Sequence, residues 1–408
     1  MMSTTDYDLI IAGAGLAGAS LALAAGQQGL RVALVEALAR PATQQPGYDE
    51  RSITLSYGSA RIFAGLGLTN NIARDAVPIQ RIHISERGRF GVTRLDSREE
   101  NVPALGYVIN ARLLSGVLYN ALDALPNITW LCPARLTALE ADANAVRASI
   151  DNHGAAQLIS AQLVIGADGA DSTVRKLLGI GVTQHDYRQT AIVTQLSSTR
   201  PHQHTAYERF TESGAIALLP MAAGRLGLVW MQASDAARAA LALPETEFLA
   251  RLQQQFGTRL GQFHSLAPRR AYPLQLSCAE SQTHVRSVLL GNAAHALHPI
   301  GGQGFNLGLR DIATLAQLLA DAHRTESDLG SSTLLDQYTQ WRAADQQRVV
   351  RFTDTLVRVF ESAAPPVAAV RPLGFLATTL CPPLKHSIAK SALGLSGRLP
   401  RLARGLPL

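Results

Sequence analysis

The chain has 408 residues, of which 47 % are hydrophobic and 17 % are charged, a composition typical of globular proteins and not of disordered ones. Its formal net charge is +6. The segment 362–408 contains no acidic residue and six basic ones, Arg371, Lys385, Lys390, Arg398, Arg401 and Arg404. The rest of the chain is therefore close to neutral, which excludes a basic nucleic-acid-binding domain.

The N-terminal stretch YDLIIAGAGLAGASLALAAGQQGLRVALVEA, residues 7–37, has the pattern of a βαβ unit. A short apolar run over 9–12 predicts a strand that is buried on both faces. A helix pattern follows over about 17–28, and a second apolar strand over 32–35. The stretch therefore predicts two neighbouring parallel strands joined by a crossover helix.

The turn between the first strand and the helix reads G-x-G-x-x-G, with Gly13, Gly15 and Gly18. The first glycine permits the tight turn, the second lets a pyrophosphate approach the backbone, and the third lets the helix pack closely on the strand. Glu36 ends the second strand, where a carboxylate can accept a hydrogen bond from a ribose hydroxyl. These residues predict a dinucleotide site, since a glycine-rich turn in an ordinary parallel sheet leaves Glu36 unexplained.

A second strand–turn–helix pattern, AQLVIGADGADSTVRKLLG, occupies residues 161–179. The apolar run 163–165 predicts a buried strand, and Asp171 or Ser172 is expected to cap the helix that follows. By itself, this pattern indicates no more than a capped helix in an α/β fold.

The stretch GNAAHALHPIGGQGFNLGLRD, residues 291–311, follows a third apolar strand. It contains two histidines, a proline and a glycine cluster, and a helix is expected to begin near Asn306. His295 and His298 have the spacing of a His-x-x-His zinc pair, but no third ligand lies nearby in the sequence, so no metal site is predicted.

These three motifs, in this order, resemble those of the FAD-dependent group A aromatic hydroxylases, the p-hydroxybenzoate hydroxylase-like monooxygenases. The resemblance covers the chain from Tyr7 to about Asp311. Within the family it is closest to the hydroxylases of ubiquinone biosynthesis, in particular the 2-polyprenyl-6-methoxyphenol hydroxylases. The stretches HISERGRFG (83–91), AYERFTESGAIALLPM (206–221) and the motif of 291–311 carry this closer match.

The resemblance implies that the third motif lies against the flavin. The family usually has an aspartate that binds the ribityl chain where this sequence has Asn292, and the ubiquinone hydroxylases share the asparagine. The backbone from Gly301 to Asn306 is expected to face the N1–O2 edge of the isoalloxazine. The implied cofactor-binding residues of this motif are Asn292, Pro299, Gly302, Gly304 and Asn306. No catalytic residue is assigned, because the flavin carries the chemistry; His298 and Pro299 are the candidates near the ring.

Other site residues follow from the same resemblance. Asp168 and Gly169 match an Asp-Gly motif that borders both FAD and the path of the nicotinamide cofactor. Arg51 and Arg112 match flavin-facing arginines, with solvated surface charges as the alternative. Arg112 opens an amphipathic helix whose inner face is expected to hold Leu113, Leu114, Val117 and Leu118.

The predicted fold is α/β, with a Rossmann-like FAD-binding domain, an inserted and mostly antiparallel β-sheet substrate domain, and C-terminal helices. The expected segments are 1–75, 101–180 and 276–330 for the FAD-binding domain, 76–100 and 181–275 for the sheet, and 331–408 for the helical region. Prolines at 365–366, 372 and 382–383 are expected to interrupt those helices. Tyr207, Glu208 and Arg209 are expected to be exposed strand residues, with substrate contact as the alternative.

The resemblance implies an activity: NADH or NADPH reduces bound FAD, O₂ forms a flavin C4a-hydroperoxide, and the aromatic ring of a polyprenylated phenol is hydroxylated in ubiquinone biosynthesis. Because only one dinucleotide fingerprint is present, NAD(P)H is expected to bind transiently. Two alternatives remain: a soluble catabolic hydroxylase of a small phenol, and a flavin-bound, non-catalytic scaffold of a biosynthetic complex.

The tail, residues 362–408, alternates leucines with its six cations, which suits binding to an anionic membrane surface. A helical cap on the FAD-binding domain is the alternative. No apolar run reaches the ~20 residues of a membrane span, and three widely spaced cysteines indicate a reducing compartment. The expected location is cytoplasmic and peripheral to the inner membrane, with a membrane surface or a ubiquinone-biosynthesis complex as partner.

Overall fold

The structure is a computed structural model that describes residues 5–40, 51–152, 154–361 and 365–408. Its strands are, in chain order, β1 (Tyr7–Ala12), β2 (Val32–Val35), β3 (Ser52–Ser56), β4 (Val77–Ile79), β5 (Arg81–Glu86), β6 (Val92–Asp96), β7 (Gly106–Asn110), β8 (Ile128–Leu131), β9 (Ala134–Ala141), β10 (Val146–Asn152), β11 (Ala155–Gly166), β12 (Val182–Ser198), β13 (Thr205–Thr211), β14 (Gly214–Pro220), β15 (Leu226–Ala233), β16 (Phe263–His264), β17 (Arg270–Ala279), β18 (Thr283–His284), β19 (Ser287–Leu289) and β20 (His295–Ala296).

The α-helices are α1 (Leu16–Gly26), α2 (Tyr57–Gly65), α3 (Thr69–Ala73), α4 (Ala111–Asp123), α5 (Thr173–Leu177), α6 (Ser234–Ala242), α7 (Glu245–Phe256), α8 (Gln303–Arg324), α9 (Ser332–Glu361), α10 (Pro365–Leu380) and α11 (Pro382–Ala392). The predicted βαβ unit is confirmed as β1, α1 and β2. The helix expected to begin near Asn306 begins three residues earlier, at Gln303.

The first sheet has the order β18-β19-β11-β1-β2-β8, with β10 and β9 joined to β11. The strands from β19 to β8 run parallel to one another. The middle of β1, Leu9, Ile10 and Ile11, is fully buried because its side chains enter two different apolar cores. One core contains α1, α4 and α8, and the other contains the β9–β10 hairpin.

The described residues form two further sheets, of which the larger is built mostly from the inserted segments. The larger has the order β20-β17-β12-β15-β14-β13-β5-β6, with β16 beside β12, and its pairs are antiparallel except that β13 and β5 run parallel. The smaller sheet has the order β3-β7-β4. The predicted fold class is confirmed. The domain boundaries remain a prediction: β4, inside 76–100, pairs in the smaller sheet, and β20, inside 276–330, joins the larger one.

Helix α4 corrects one expected apolar face. Leu114 and Leu118 are fully buried, but Leu113 is 40 % exposed. At about 100° per residue, Leu114 and Leu118 lie on one side of the helix and Leu113 lies on the opposite side. Tyr119 and Leu122 complete the buried face instead.

The C-terminal region packs on the body of the protein. Leu402 and Ala403 are buried in the same core as β1 and α1, and Phe375 of α10 is buried with residues of the larger sheet. Pro372 does not interrupt its helix, because α10 continues through it to Leu380. Contacts of Phe375 with Gly91 and a 2.5 Å hydrogen bond between Thr378 and Thr93 hold α10 on β6.

Most of the basic residues of the tail have protein partners. Arg371 pairs with Glu86 (2.8 Å), Lys385 with Glu99 (2.5 Å) and Arg401 with Asp321 (2.5 Å), and the guanidinium of Arg398 lies 3.7 Å from the ring centre of Trp341. The tail therefore forms a helical cap, as one of the two alternatives expected.

Candidate functional site

The predicted dinucleotide residues lie along one edge of the first sheet. Gly13 follows β1, Glu36 follows β2, Asp168 follows β11 and Asn292 follows β19. These four strands are parallel neighbours in the order β19-β11-β1-β2, so their carboxyl ends meet at the same edge. Open α/β sheets bind their ligands at this edge.

The three glycines of the first turn differ in their surroundings. Gly13 has a φ of +94°, and a Cβ added there would lie 2.5 Å from the carbonyl oxygen of Ala167. A Cβ on Gly18 would overlap the carbonyl oxygen of Gly13. A Cβ on Gly15, the N-cap of α1, would meet no atom within 4 Å. The turn thus needs Gly13 and Gly18 for its own packing, while Gly15 leaves an open approach to the backbone at the helix N-terminus.

Glu36 is half-buried and holds the glycine turn in place. Its Oε2 accepts a hydrogen bond of 2.8 Å from the backbone N–H of Ala14, and its Oε1 accepts one of 2.9 Å from that of Leu38. A carboxylate oxygen accepts two hydrogen bonds, so both oxygens retain a lone pair for a ribose hydroxyl. Tyr119 supports the same turn from α4 by donating to the carbonyl oxygen of Ala14 (2.9 Å).

Asp168 shapes the second turn. Its carboxylate accepts hydrogen bonds from the hydroxyl of Ser172 (2.5 Å) and the backbone N–H of Val174 (3.1 Å). Ser172 is the N-cap of α5, which confirms one of the two predicted caps. Gly169 follows with a φ of +89° and an open Cβ direction. Asp168 is therefore bound to the helix that it precedes, and Gly169 presents bare backbone.

Asn292 lies in a short 3₁₀ turn with its side chain exposed, and within the described parts of the chain that side chain has no hydrogen-bond partner. The buried Arg175 joins this turn to the second motif by donating to the carbonyl oxygens of Ala293 (3.0 Å) and Ala170 (2.8 Å). Sequence analysis missed this role, because nothing in the spacing links Arg175 to a turn more than a hundred residues later.

The Pro299–Gln303 turn contacts β3, α8 and α9. Gly301 and Gly302 have φ values of +66° and +63°, a backbone that L side chains rarely adopt. Ile300 is buried in a cluster with residues of the larger sheet. Added Cβ atoms on Gly301 and Gly304 would meet no atom within 4 Å, so the turn and the first residues of α8 present open backbone.

Asn306 fastens this helix to β3. Its amide nitrogen donates to the carbonyl oxygens of Thr54 (2.8 Å) and Gly302 (2.6 Å), and its Oδ1 accepts from the backbone N–H of Ser56 (2.8 Å). The side chain is buried and its hydrogen-bonding groups are used within the protein. Any contact of position 306 with a cofactor therefore falls to its backbone.

His298 is buried beside the Pro299–Gln303 turn. Burial lowers its pKa to about 4, so the ring is neutral at pH 7. Its Nδ1 accepts from the backbone N–H of Ile300 (3.3 Å), which leaves Nε2 to donate to Oε1 of Gln189 (3.2 Å). The histidine fixes the shape of the turn and is engaged by protein groups at both nitrogens.

His295 belongs to a buried charge network beneath the same loop. Its Nε2 lies 2.7 Å from Oδ2 of Asp311, whose Oδ1 accepts from Nε of Arg342 (2.6 Å). Burial alone would raise the pKa of Asp311, but the charge of Arg342 and the hydrogen bond from His295 outweigh it and lower the pKa to about 2. Arg342 also pairs with Asp345 (2.7 Å), so the network ties the loop and α8 to α9.

A backbone hydrogen bond brings the segments that contain Arg51 and Arg112 next to each other. The N–H of Ala111 donates to the carbonyl oxygen of Arg51 (2.9 Å), so Arg51 and Arg112 flank the same end of the β3–β7 pair. The guanidinium of Arg51 lies 5.4 Å from the ring centre of Tyr272. Within the described residues, the half-buried guanidinium of Arg112 has no hydrogen bond or ion pair and is available to an anion.

A small pocket lies beside the Pro299–Gln303 turn, and we call it the cavity. Gly301, Gln303 and Asn306 form one wall, and α11 with the residue after it forms another. Its apolar lining consists of Ile79, Ile82, Leu95, Leu105, Ala389, Ala392 and Leu393. The cavity therefore combines open backbone of the turn with an apolar channel wall.

The glycine turn at the carboxyl edge of a parallel sheet, with a second sheet packed on the third motif, defines the class: a dinucleotide-binding oxidoreductase fold. The family model described as "FAD binding domain" matches residues 6–353. The chain therefore belongs to this FAD-binding family.

Relatives and solved structures agree with this assignment. The ubiquinone hydroxylase UbiL of Rhodospirillum rubrum is 38 % identical over 404 residues, 98 % of this chain and 93 % of that protein. The 3-demethoxyubiquinol 3-hydroxylase of Escherichia coli is 31 % identical over 396 residues, 97 % and 100 % of the two chains. The crystal structure of p-nitrophenol 4-monooxygenase PnpA from Pseudomonas putida has a TM-score of 0.79 at 21 % identity, covers 97 % and 100 %, and supports the fold. The protein is a flavoprotein monooxygenase.

The edge fits an FAD molecule on the geometry alone. A Cβ on residue 15 would project into open space at the helix N-terminus, and the exposed amide of Asn292 and the free lone pairs of Glu36 lie along the same edge. The N-termini of α1 and α8 supply backbone N–H groups and the positive ends of two helix dipoles. The arrangement suits an extended, polyhydroxylated, anionic dinucleotide.

Proposed function

We propose that the protein hydroxylates the aromatic ring of a polyprenylated phenol in ubiquinone biosynthesis, with NADH or NADPH as a transient reductant. The activities in the names of its relatives support this substrate class. The observation that carries the proposal is the apolar cavity beside the Pro299–Gln303 turn. FAD, when bound and reduced, supplies the activation of O₂ for transfer of one oxygen atom to the ring.

Each residue of the sheet edge is assigned to one part of the FAD molecule. The backbone at Gly15 and the N-terminus of α1 take the pyrophosphate, and Glu36 takes the ribose of the adenosine half. Asn292 binds a ribityl hydroxyl as acceptor or donor. Pro299, Gly302 and the open backbone at Gly304 would hold the ring system. Arg51, Arg112, Asp168 and Gly169 complete the predicted site.

The isoprenoid chain of the substrate is proposed to bind in the cavity. Its apolar wall runs from the Pro299–Gln303 turn, where the phenol ring has to react, to α11. Each CH₂ group that leaves water gains about 0.8 kcal/mol, so a wall of leucine, isoleucine and alanine favours a prenylated phenol over a small one. A small phenol would leave this wall without a partner.

Substitution of Ala392 by Phe tests the assignment of the cavity, because Ala392 is half-buried and lines it. We expect the KM for a prenylated phenol to rise at least tenfold, while the KM for the same phenol without its side chain changes little. Asn120→Phe, at an exposed position of α4 that does not line the cavity, is the control. Equal effects on both substrates would favour the small-phenol hydroxylase instead.

We further propose that α10 and α11 rest on a membrane surface, from which the apolar substrate is taken. Leu373 (58 %), Leu380 (71 %) and Leu384 (42 %) are exposed on these helices, and Phe90 (79 %) is exposed beside Pro372. Leu373 and Leu380 are seven residues apart and so lie on one helix face. No helix in the described residues is long and apolar enough to cross a bilayer, so the proposed contact is interfacial.

A further inference from the structure

Glu208 is a half-buried carboxyl on β13 with apolar neighbours. It pairs with Ala217 on β14 and with Ile84 on β5, and Ala217 pairs in turn with Val229 on β15. Directly paired residues point to the same face of a sheet, so Glu208 stands in a row of Ile84, Ala217 and Val229. Its Oε1 is fully buried and has no hydrogen-bond partner in the described parts of the chain.

This face of the larger sheet is the one that meets the third motif. Phe210, the next residue on the same face of β13, belongs to one buried cluster with Ile300 of the Pro299–Gln303 turn. Ile82, the next on the same face of β5, lines the apolar cavity. Glu208 therefore lies one side-chain row (roughly 7 Å) from Phe210, which shares a cluster with the turn, and one row from Ile82, which lines the cavity proposed for the isoprenoid chain.

The charged side chains on this face pair with residues other than Glu208. Glu86 of β5 is on the same face, but it pairs with Arg371 of α10 (2.8 Å) and Arg89 (3.2 Å). The facing residues of β14 and β15 are apolar, and His298 beside the turn is neutral. Burial alone therefore acts on Glu208 and raises its pKa to about 8.

We propose that Glu208 binds the phenolic hydroxyl of the substrate and takes its proton, an inference that rests on the proposed function. The phenolic O–H bond breaks, the proton goes to the carboxylate, and the electron pair stays on the phenol oxygen, where it makes the ring more electron-rich for attack on oxygen. A buried carboxylate is a stronger base than an exposed one, so it suits this transfer near neutral pH. Substrate binding also supplies the partner that Oε1 lacks within the protein.

Glu208→Gln tests the inference in the FAD-loaded enzyme, because the amide keeps the shape and a hydrogen bond but accepts no proton. With a prenylated phenol, we expect its Kd for the oxidised enzyme to stay within about threefold. We expect the hydroxylated product per NADH oxidised to fall about 100-fold, with H₂O₂ released instead. The rise of product formation with pH through about 8 in the parent should be absent from the variant.

Glu208→Asp keeps a carboxyl and should restore part of the product and the pH dependence. Glu212→Gln, an exposed carboxyl on the adjoining turn, is the control and should behave as the parent. Product formation by Glu208→Gln within twofold of the parent, with the same pH profile, would overturn the inference. If the parent makes no product from the prenylated phenol, the proposed function fails, and the same variants are compared on a phenol that the parent does hydroxylate.

Discussion

At Gly15 an added Cβ would meet no protein atom within 4 Å, whereas at Gly18 it would overlap the carbonyl oxygen of Gly13. In the same motif, Gly15 leaves space for a ligand, whereas Gly13 and Gly18 are needed because a side chain there would clash with the backbone. The sequence pattern predicts all three, because their roles depend on a short, local βαβ unit.

Gly15→Val should therefore fold and purify without yellow colour, because its side chain occupies the approach of the pyrophosphate. The measurements are the flavin absorbance per protein and the thermal unfolding midpoint. Gly18→Val is the contrasting variant and should lose stability as well as flavin. A Gly15→Val protein with normal FAD content would show that the first turn does not hold the pyrophosphate.

Asn292 is exposed and has no side-chain partner among the described residues, so its substitution should leave the apoprotein stable. Asn292→Leu leaves ribityl hydroxyls unpaired and should weaken FAD binding by ~1–3 kcal/mol. Asn292→Asp should keep FAD but lower its reduction potential, because the added negative charge disfavours the anionic reduced flavin. Titration of apoprotein with FAD measures the first effect, with Asn120→Leu as control. Unchanged FAD affinity in Asn292→Leu would remove the residue from the site.

At the scale of elements, the strands and helices of the three motifs were predictable because apolar periodicity and turn residues are local signals. The sequence predicted that α8 begins near Asn306, three residues after its actual start at Gln303. The helix begins directly after two glycines with positive φ, and Asn306 lies inside it with its side chain bonded to β3. Glu208 was expected to be exposed; its burial depends on β5, more than a hundred residues earlier, and no local pattern contains that pairing.

The Asp311–Arg342 pair is another feature that the sequence did not reveal, because its partners are 31 residues apart on different helices. It fixes α8, and with it the Pro299–Gln303 turn, against α9. Asp311→Asn removes one of the two carboxylates that pair with the buried Arg342 and leaves Asp345, which should lower the free energy of unfolding by about 1–3 kcal/mol at pH 7. Asp336→Asn, an exposed residue of α9, is the control for chemical denaturation.

The difference between parent and Asp311→Asn should depend on pH. The pKa of Asp311 is about 2 in the folded protein against an ordinary value of 3.8, so its contribution is complete above about pH 4 and is lost as the pH falls toward 2. A difference in unfolding free energy that stays constant from pH 7 to pH 2.5 would show that the charge of Asp311 is not what stabilises the fold.

For the whole molecule, the structure changes which residues are proposed to contact a membrane. The basic tail caps the body, and Arg371, Lys385 and Arg401 pair with acidic residues of that body. The proposed membrane contact therefore rests mainly on the exposed leucines of α10 and α11 and less on charge. A truncation at Glu361 would also remove Leu402 from the main core, so point substitutions are the appropriate test.

The triple variant Leu373→Ser, Leu380→Ser and Leu384→Ser should lose at least half of its co-flotation with vesicles of phosphatidylethanolamine and phosphatidylglycerol. Leu158→Ser, an exposed leucine of β11, is the control. Because most of the tail cations are already paired, we expect only a modest loss of binding between low and physiological salt. Parent protein that stays in the soluble fraction, or a triple variant that floats equally well, would contradict the proposed surface.

The most direct test of the central claim is mass spectrometry of the products formed by the purified, FAD-loaded protein from a prenylated phenol, NADH or NADPH and ¹⁸O₂. We expect one new ring hydroxyl that carries the heavy isotope, formed in proportion to the nicotinamide oxidised, and faster than with the same phenol lacking its isoprenoid chain. Oxidation of the nicotinamide to give H₂O₂ alone, or hydroxylation restricted to the small phenol, would contradict it.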